Sequence, residues 1–145
     1  MTENVALIST HAITKQELAE AILAGGGVLI PENTGFGRIS QVTRHIWIYF
    51  EEPEVFLSTQ DAEEQDNPAG WELVRTKLGG EPRSAISIEV SRTPGSQKLA
   101  VDFAILCAQR WPCVALGADI NKDVFTKEAL LQLQREGKGI IKYGM

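Results

Sequence analysis

The amino-acid sequence predicts an α/β fold, on the border of α+β, in which about three main helices pack on a mixed sheet of five to six strands. Short apolar runs with strand patterns alternate along the chain with longer segments of helical pattern, an arrangement typical of this fold class. The chain has 145 residues, of which 43% are hydrophobic and 23% charged, and this length suits one domain with its own core. We therefore expect a single domain over residues 1–145, with β-α-β units at both ends.

The first segment predicts a strand, a helix and a second strand in succession. Asn4–Ser9 is a short apolar run typical of a buried strand. Thr14 can cap a helix through its hydroxyl while Glu17 returns the contact, and Gly25–Gly27 end this helix. Val28–Ile30 then forms the second strand, and the connection between the two strands has about the minimum length for a parallel crossover.

The middle of the chain carries one clear strand among weaker elements. Thr34–Gly37 predicts a turn. In His45–Phe50 aliphatic and aromatic side chains alternate with a period of two, which indicates a strand with an aliphatic core face. Val55–Ser58 is a candidate neighbouring strand that would complete a hairpin, and the polar, acidic Asp61–Pro68 is expected to be a loop.

The following segment again alternates between helix and strand. Trp71–Leu78 has a weak helical pattern, and Ala85–Val90 alternates as a strand. Ser96 can cap a helix that runs to about residue 110 and is apolar on most sides, so it predicts a central packing helix. Cys113–Leu116 then forms a buried strand.

The last segment repeats the order of elements found at the start. Val114–Leu116 matches Val5–Leu7, and Thr126 caps a helix that Gly137 ends, as Thr14 and Gly25 do near the start of the chain. Ile140–Tyr143 is a candidate closing strand, which would complete the second β-α-β unit. Two interpretations of this similarity stay open. Either the two ends derive from a duplicated unit, or two unrelated helices use the same capping signals.

Net charge and hydropathy exclude several classes of function. The formal charge of −5 disfavours a general binder of nucleic acid or of anionic membranes, because both require a basic surface. The chain lacks an apolar run of roughly 18 residues and an N-terminal signal pattern. We expect a cytoplasmic protein without nucleic-acid or membrane partners.

The residue types that carry catalysis or bind metals are few and scattered. Cys107 and Cys113 lie six residues apart without a second pair, so they predict buried, reduced thiols. His11 and His45 are isolated, and the sequence contains no hydrolase, metalloprotease or deaminase motif. We therefore expect a protein that is not an enzyme and that has no cofactor, no metal and no catalytic residues.

The distribution of acidic residues is the most informative feature. The sixteen residues from Glu51 to Asp66 carry seven acidic side chains and no lysine or arginine, so the rest of the chain sums to +2. Trp47 and Trp71 flank this segment in the sequence, and acidic groups beside aromatic anchors suit binding to a basic protein surface. The candidate partner-binding residues are Glu51, Glu52, Glu54, Asp61, Glu63, Glu64, Asp66, Trp47 and Trp71. A solvated acidic loop is the plainer interpretation of the same charges.

A small acidic α/β domain, without a catalytic constellation and with such a segment, resembles the immunity proteins of bacterial polymorphic toxin systems, including those of contact-dependent growth inhibition. The resemblance covers the whole chain and depends on this type of composition, not on a motif. It implies a cytoplasmic inhibitor that binds a cognate toxin domain with a basic surface, often a nuclease, and blocks its active site or substrate path. The carboxylates would then meet the basic residues that a nuclease uses for phosphates.

Two other functions compete with this interpretation. The β-α-β units and the glycine-rich turns Gly25–Gly27 and Gly35–Gly37 also suit a small-molecule-binding regulatory domain of the ferredoxin-like type. An enzyme would have to use Cys107, His11 or His45.

The position of the aromatic residues decides whether the acidic segment has aromatic anchors beside it. Trp47 and Tyr49 lie either at the interface or beneath the helix of Trp71 as part of the core, and both arrangements stay open.

Overall fold

The computed structural model describes residues 2–30 and 37–141, and within them the chain forms seven strands and five helices. The predicted turn Thr34–Gly37 lies mostly outside this range. The strands are β1 Thr2–Ser9, β2 Val28–Leu29, β3 Gly37–Gln41, β4 Arg44–Phe50, β5 Ser84–Ser91, β6 Cys113–Leu116 and β7 Val124–Phe125. The helices are α1 Lys15–Ala24, α2 Pro53–Asp66, α3 Pro68–Leu78, α4 Ser96–Arg110 and α5 Lys127–Glu136.

All strands join one antiparallel sheet in the order β2-β3-β4-β5-β1-β6-β7. β1 pairs with β5 along its whole length, from Thr2 opposite Ser91 to Ser9 opposite Ser84, and with β6 on its other edge. The fold is therefore α+β, and the sheet is larger and more uniform than the mixed sheet of five to six strands that the sequence predicts.

The four central strands of the sheet have the strand order of a ferredoxin-like domain. β1, β4, β5 and β6 lie in the order β4-β5-β1-β6, and β5 and β6 run in the same direction on either side of β1. With α1 and α4 this is the β-α-β-β-α-β order of ferredoxin-like domains. β2 and β3 extend the sheet beyond β4, α2 and α3 are inserted between β4 and β5, and β7 and α5 follow β6.

The two sides of the sheet carry separate cores. On one side α1, α4 and α5 bury the main cluster, in which Leu18, Phe103 and Leu130 pack over Val5 and Leu7 of β1. On the other side α2 and α3 bury a smaller cluster; its members are Ile8, Phe56, Trp71, Val74, Ala85, Val114 and Val124. Alternate residues of β1 therefore contribute to both cores, as the period of two in a strand requires.

Local sequence signals place several elements correctly. The Thr14 hydroxyl accepts a hydrogen bond from the Glu17 amide at 3.1 Å, and the Glu17 carboxylate accepts one from the Thr14 amide at 2.9 Å, so the capping box of α1 is confirmed. Thr126 caps α5 and Gly137 ends it with a φ of 68°, as predicted. The predicted strands at β1, β4, β5 and β6 and the helix at α3 are also confirmed.

The predicted β-α-β units are wrong in their pairing. β1 and β2 run in the same direction, but β3, β4 and β5 lie between them, so α1 crosses over the sheet to its far edge. At the C-terminal end α5 is not followed by a strand within the described residues, because Ile140 and Ile141 are buried in the main core without pairing. The remainder of the predicted strand Ile140–Tyr143 lies outside them.

The acidic segment is a helix, which corrects both the predicted strand Val55–Ser58 and the predicted loop Asp61–Pro68. Pro53 occupies the first turn, where proline suits a helix, and Pro68 disfavours helical geometry at the preceding Asn67. Phe56 and Gln60, one turn apart, are buried, and the acidic side chains occupy the remaining faces of α2. The acidic side chains can therefore stay in contact with water while α2 packs on the sheet through Phe56 and Gln60.

β3 escaped prediction because its sequence is polar, and the predicted cap of α4 is wrong. β3 carries only Ile39 as a buried aliphatic side chain, and the partner of β4 in the hairpin is this strand. Ser96 begins α4 but does not cap it, because its hydroxyl accepts a hydrogen bond from the His45 amide at 3.0 Å. Gly95, with a φ of 91°, occupies the cap position.

No helix in residues 2–30 and 37–141 combines the length and the apolarity that crossing a lipid bilayer requires.

The turn between β3 and β4 generates a stability prediction. Val42 has a φ of 57° and is 96% exposed, although a β-branched side chain disfavours positive φ. Val42→Gly is expected to stabilise the protein by about 1 kcal/mol, because glycine accepts this conformation without strain. Thermal unfolding monitored by circular dichroism should show a melting temperature roughly 3 °C higher.

Val42→Thr is the matched control for this substitution. Threonine keeps the β-branched shape and removes only the exposed apolar character, so its melting temperature should stay at the wild-type value. A higher melting temperature for both variants would assign the effect to surface polarity and contradict backbone strain.

Candidate functional site

Helices cover the side of the sheet that carries the smaller core only in part. α2 and α3 pack over Ile8, Ala85 and Val114, whereas farther along the same side the side chains of β3 and β4 are exposed or half-buried. We name this region the open sheet face. By strand alternation it carries Asn4, Ala6, Arg38, Ser40, His45, Trp47, Tyr49, Ser87 and Glu89.

Trp47 and Tyr49 occupy the centre of the open sheet face. Both side chains are half-buried and belong to neither hydrophobic cluster. The His45 ring stacks on Trp47 with 5.8 Å between ring centroids, and Trp47 lies opposite Glu89 in the pairing of β4 with β5. Burial and the negative charge of Glu89 raise the pKa of Tyr49. The arrangement in which Trp47 and Tyr49 are core residues beneath the helix of Trp71 is therefore wrong, and their use at an interface stays a prediction.

Trp71, the second tryptophan of the predicted binding face, is a core residue. Its side chain is 3% exposed and packs against Phe56 with 6.4 Å between ring centroids. Trp71 and Val74 anchor α3 to the smaller core, and α3 lies over β6 and β7. Trp71 is therefore not available as an anchor, and its helix is not placed over Trp47.

Three of the seven predicted acidic residues lie away from the open sheet face. Glu52 is at the N-terminus of α2 and pairs with Lys15 at 3.4 Å between Oε1 and Nζ. Glu54 and Asp61 are exposed along α2. These carboxylates are solvated, as the plainer interpretation of the segment expects.

Glu64 belongs to an internal network. Its Oε1 accepts hydrogen bonds from Arg75 Nη2 at 2.5 Å and from Gln60 Nε2 at 3.2 Å. The Arg75 guanidinium also pairs with Glu81 at 3.0 Å, so it links α2, α3 and the segment that precedes β5. The hydrogen bond from Arg75 lowers the pKa of Glu64. This carboxylate stabilises the contact of the two helices and has little capacity left for a partner.

Glu63 and Asp66, in the last turn of α2, line a cleft of about 430 Å³. We name it the acidic cleft. Its floor consists of Ala6, Ser87 and Leu116 from three neighbouring strands. The C-terminal half of α2, the start of α3 at Trp71 and the segment 116–120 form its walls, and Asn4 lies at its end. Lysine, arginine and histidine are absent from the lining formed by the described residues.

The acidic cleft and the open sheet face are continuous. Tyr49 pairs with Ser87, Ser87 with Ala6, and Ala6 with Leu116, so these four residues form one row across four adjacent strands. With strands spaced about 4.8 Å apart, the row extends over roughly 14 Å. A partner segment laid along it would contact the aromatic residues at one end and the acidic wall at the other.

The electrostatics of the cleft are uniformly negative. Glu51 follows β4 directly, and burial together with the charge of Glu63 raises its pKa. The smaller of these two causes places the carboxylates of Glu51 and Glu63 near enough to repel each other. Beside the cleft, the open sheet face carries one acidic side chain, Glu89, and one basic side chain, Arg38. A cationic ligand would therefore gain favourable interactions in the cleft itself.

The sequence missed Asn4, Ser87 and Glu89 as site residues. In β5 the polar Ser87 and Glu89 alternate with the buried Ile86 and Ile88, and this pattern already indicates that the second face of the strand contacts solvent. The pairing that brings Asn4 of β1 opposite Glu89 is a contact between distant parts of the chain, and it carries no local signal.

A second cavity, of about 300 Å³, lies on another part of the molecule. The loop before α4, the first turns of α4 and the C-terminal end of α5 enclose it, and Gly95, Val101, Leu133 and Gly139 are among the residues that line it. Lys98 at its edge pairs with Asp102 at 2.9 Å. The cavity is formed largely by apolar groups with charged pairs at the rim.

The residues that could support catalysis are not brought together. His11 pairs with Glu17 at 2.9 Å, and His45 shares a hydrogen bond of 2.9 Å with Ser40. Cys107 and Cys113 are buried without a disulfide. Across residues 2–30 and 37–141 there is no grouping of three or more histidine, cysteine or carboxylate side chains suited to a metal ion.

The thiols generate a reactivity prediction. Burial raises the pKa of Cys113 to about 12 and the pKa of Cys107 well above its usual value, so the reactive thiolate is scarce near neutral pH. A chromogenic disulfide reagent at pH 8 should therefore detect no rapidly reacting thiol in the folded protein. After unfolding in guanidinium chloride both thiols should react; a rapid reaction of either in the native state would contradict the structure.

Comparison of the chain with protein-family models, with curated proteins and with solved structures found no match. The candidate site is therefore defined by geometry and charge: an acidic cleft of about 430 Å³ that continues into an open sheet face bearing two half-buried aromatic residues.

Proposed function

We propose that this protein is an immunity protein, a cytoplasmic inhibitor that binds a cognate toxin domain and neutralises it without catalysis. The observation that supports the proposal best is the continuity of the acidic cleft with Trp47 and Tyr49 on one surface. Such a surface combines the charge that attracts a basic partner with the aromatic side chains that anchor one.

The charge pattern favours a nuclease as the toxin. A nuclease binds phosphates through lysine and arginine, and a negatively charged inhibitor can occupy the same groups. Glu51, Glu63, Asp66 and Glu89 lie at or beside the row of residues that crosses the sheet. A partner loop seated on this row would have its basic side chains held by carboxylates, and the substrate path would be blocked.

The residues of the proposed interface act in two ways: some speed association and others slow dissociation. Exposed carboxylates on α2 increase the rate of encounter through long-range attraction, which salt screens. Trp47 and Tyr49 slow dissociation because their large surfaces lose water when the partner covers them. The rest of the contact area, of which a stable complex needs about 800 Å² on each partner, would come from the surrounding sheet and α2.

Charge reversal in the acidic cleft tests the proposal. Glu63→Lys with Asp66→Lys should lower the association rate with the toxin domain, sought in the product of the adjacent reading frame, by roughly tenfold or more at low salt. The dependence of this rate on salt should become weaker. Stopped-flow fluorescence or surface plasmon resonance measures both effects.

Glu54→Lys with Asp61→Lys is the matched control. It makes the same change of net charge on the same helix, but both residues are exposed away from the cleft. The control should reduce the association rate less than the cleft variant does. Equal effects of the two variants, or an unchanged rate in both, would contradict the proposed docking face.

A second candidate function is a small-molecule-binding regulatory domain, and the cavity of about 300 Å³ between α4 and α5 favours it. This volume lies at the lower end of the range for ligand sites. A metabolite that binds there should raise the melting temperature of the wild-type chain. Gln134→Trp, at the exposed rim of the cavity, should abolish the rise by filling the entrance, whereas Gln132→Trp on the same helix should not.

A further inference from the structure

The acidic cleft has a shape suited to a flat cation. Its floor presents Ala6 and Leu116 together with Ser87, and Trp71 lies beside them, so most of the bottom of the cleft is apolar. Glu63 and Asp66 belong to α2, which forms a wall of the cleft and not its floor. A ligand that fits must therefore place an apolar surface downward and hydrogen-bond donors sideways.

Guanidinium meets this requirement better than ammonium does. Its planar faces are weakly hydrated and stack on apolar or aromatic surfaces, while its five N–H donors lie in the plane around the edge. The lysine ammonium is a compact, strongly hydrated charge whose donors point away from its stem. Placing it on an apolar floor would remove water from donors that Ala6 and Leu116 cannot satisfy.

The carboxylates of the wall have the spacing for a shared cation. Glu63 and Asp66 are three residues apart on α2, so their side chains are neighbours on one face of the helix, with roughly 5–6 Å between Cβ atoms. Ser87 in the floor and Asn4 at its end supply further oxygen acceptors. A cation on the floor would therefore find acceptors beyond those of the α2 wall.

The negative charge of this wall is not offset from within the cleft. Burial and the nearby charge of Glu63 raise the pKa of Glu51, and the described lining holds no basic side chain. Glu64, on the same helix, has its charge matched by the Arg75 guanidinium at 2.5 Å. The contrast within one helix indicates that the cleft side is left for a cation from outside.

We propose that the acidic cleft receives an arginine side chain of the basic partner, with the guanidinium lying flat on Ala6 and Leu116 and donating to Glu63 and Asp66. This inference rests on the proposed function, since it names the chemical group that the inhibitor captures. Tyr49, in the same row as Ser87, then contacts the partner backbone next to that arginine.

Peptide titrations of the full-length chain test the inference with capped hexaarginine and capped hexalysine as probes. Amide chemical shifts in ¹⁵N spectra at low salt report where and how tightly each peptide binds. Hexaarginine should shift the amides of Ala6, Ser87 and Leu116, and it should bind roughly tenfold more tightly than hexalysine. Equal affinities would overturn the arginine assignment and leave the docking of a basic toxin to be decided by the charge-reversal kinetics.

Paired variants locate the binding site on the protein. Glu63→Gln with Asp66→Asn should weaken hexaarginine binding roughly tenfold and remove most of the preference over hexalysine. Glu54→Gln with Asp61→Asn removes the same charge from the same helix and should weaken binding less than about threefold. The substituted residues are exposed, so unchanged spectra elsewhere verify the fold. An equal loss in both pairs, or the absence of shifts at the cleft, would overturn the inference.

Discussion

The antiparallel pairing of β1 with β5 is the interaction on which the rest of the structure depends. It joins residues 2–9 to residues 84–91 along eight positions, and β1 also pairs with β6 on its other edge. Ser84 secures the end of this pairing, because its hydroxyl donates to the His11 carbonyl at 2.6 Å and accepts from the Ile13 amide at 3.2 Å. With β1 central, α1 and α4 cover one side of the sheet and α2 and α3 are left to cover the other.

The candidate site follows from an imbalance between the two sides. Three helices close one side, whereas the α2–α3 pair covers the other over β6, β7 and the ends of β1 and β5. A sheet side that a helix pair covers in part must expose polar residues where the cover stops, and β5 changes there from Ala85 to Ser87 and Glu89. The acidic cleft lies at this boundary, so the charge of α2 and the aromatic residues of β4 become parts of one surface.

The helical form of the acidic segment changes what its charge can do. A flexible loop would spread its carboxylates in solvent, but α2 sorts them by face. Glu64 is directed to Arg75, Glu54 and Asp61 to solvent, and Glu63 and Asp66 to the cleft. Only part of the local charge of −7 therefore faces the site. The specificity that we propose comes from this sorting and from the apolar floor, and the net charge contributes mainly to attraction at a distance.

The sequence by itself determined the elements whose signals are local: the capping box at Thr14, the helix from Thr126 to Gly137, and the alternation in β4 and β5. It also located the acidic segment, although periodicity could not distinguish a solvated helix from a loop, because only Phe56 and Gln60 are buried along it. The tertiary structure alone decided the strand order, the core position of Trp71 and the row from Tyr49 to Leu116. These depend on pairing between residues that are distant in the chain, and such contacts carry no signal in local spacing.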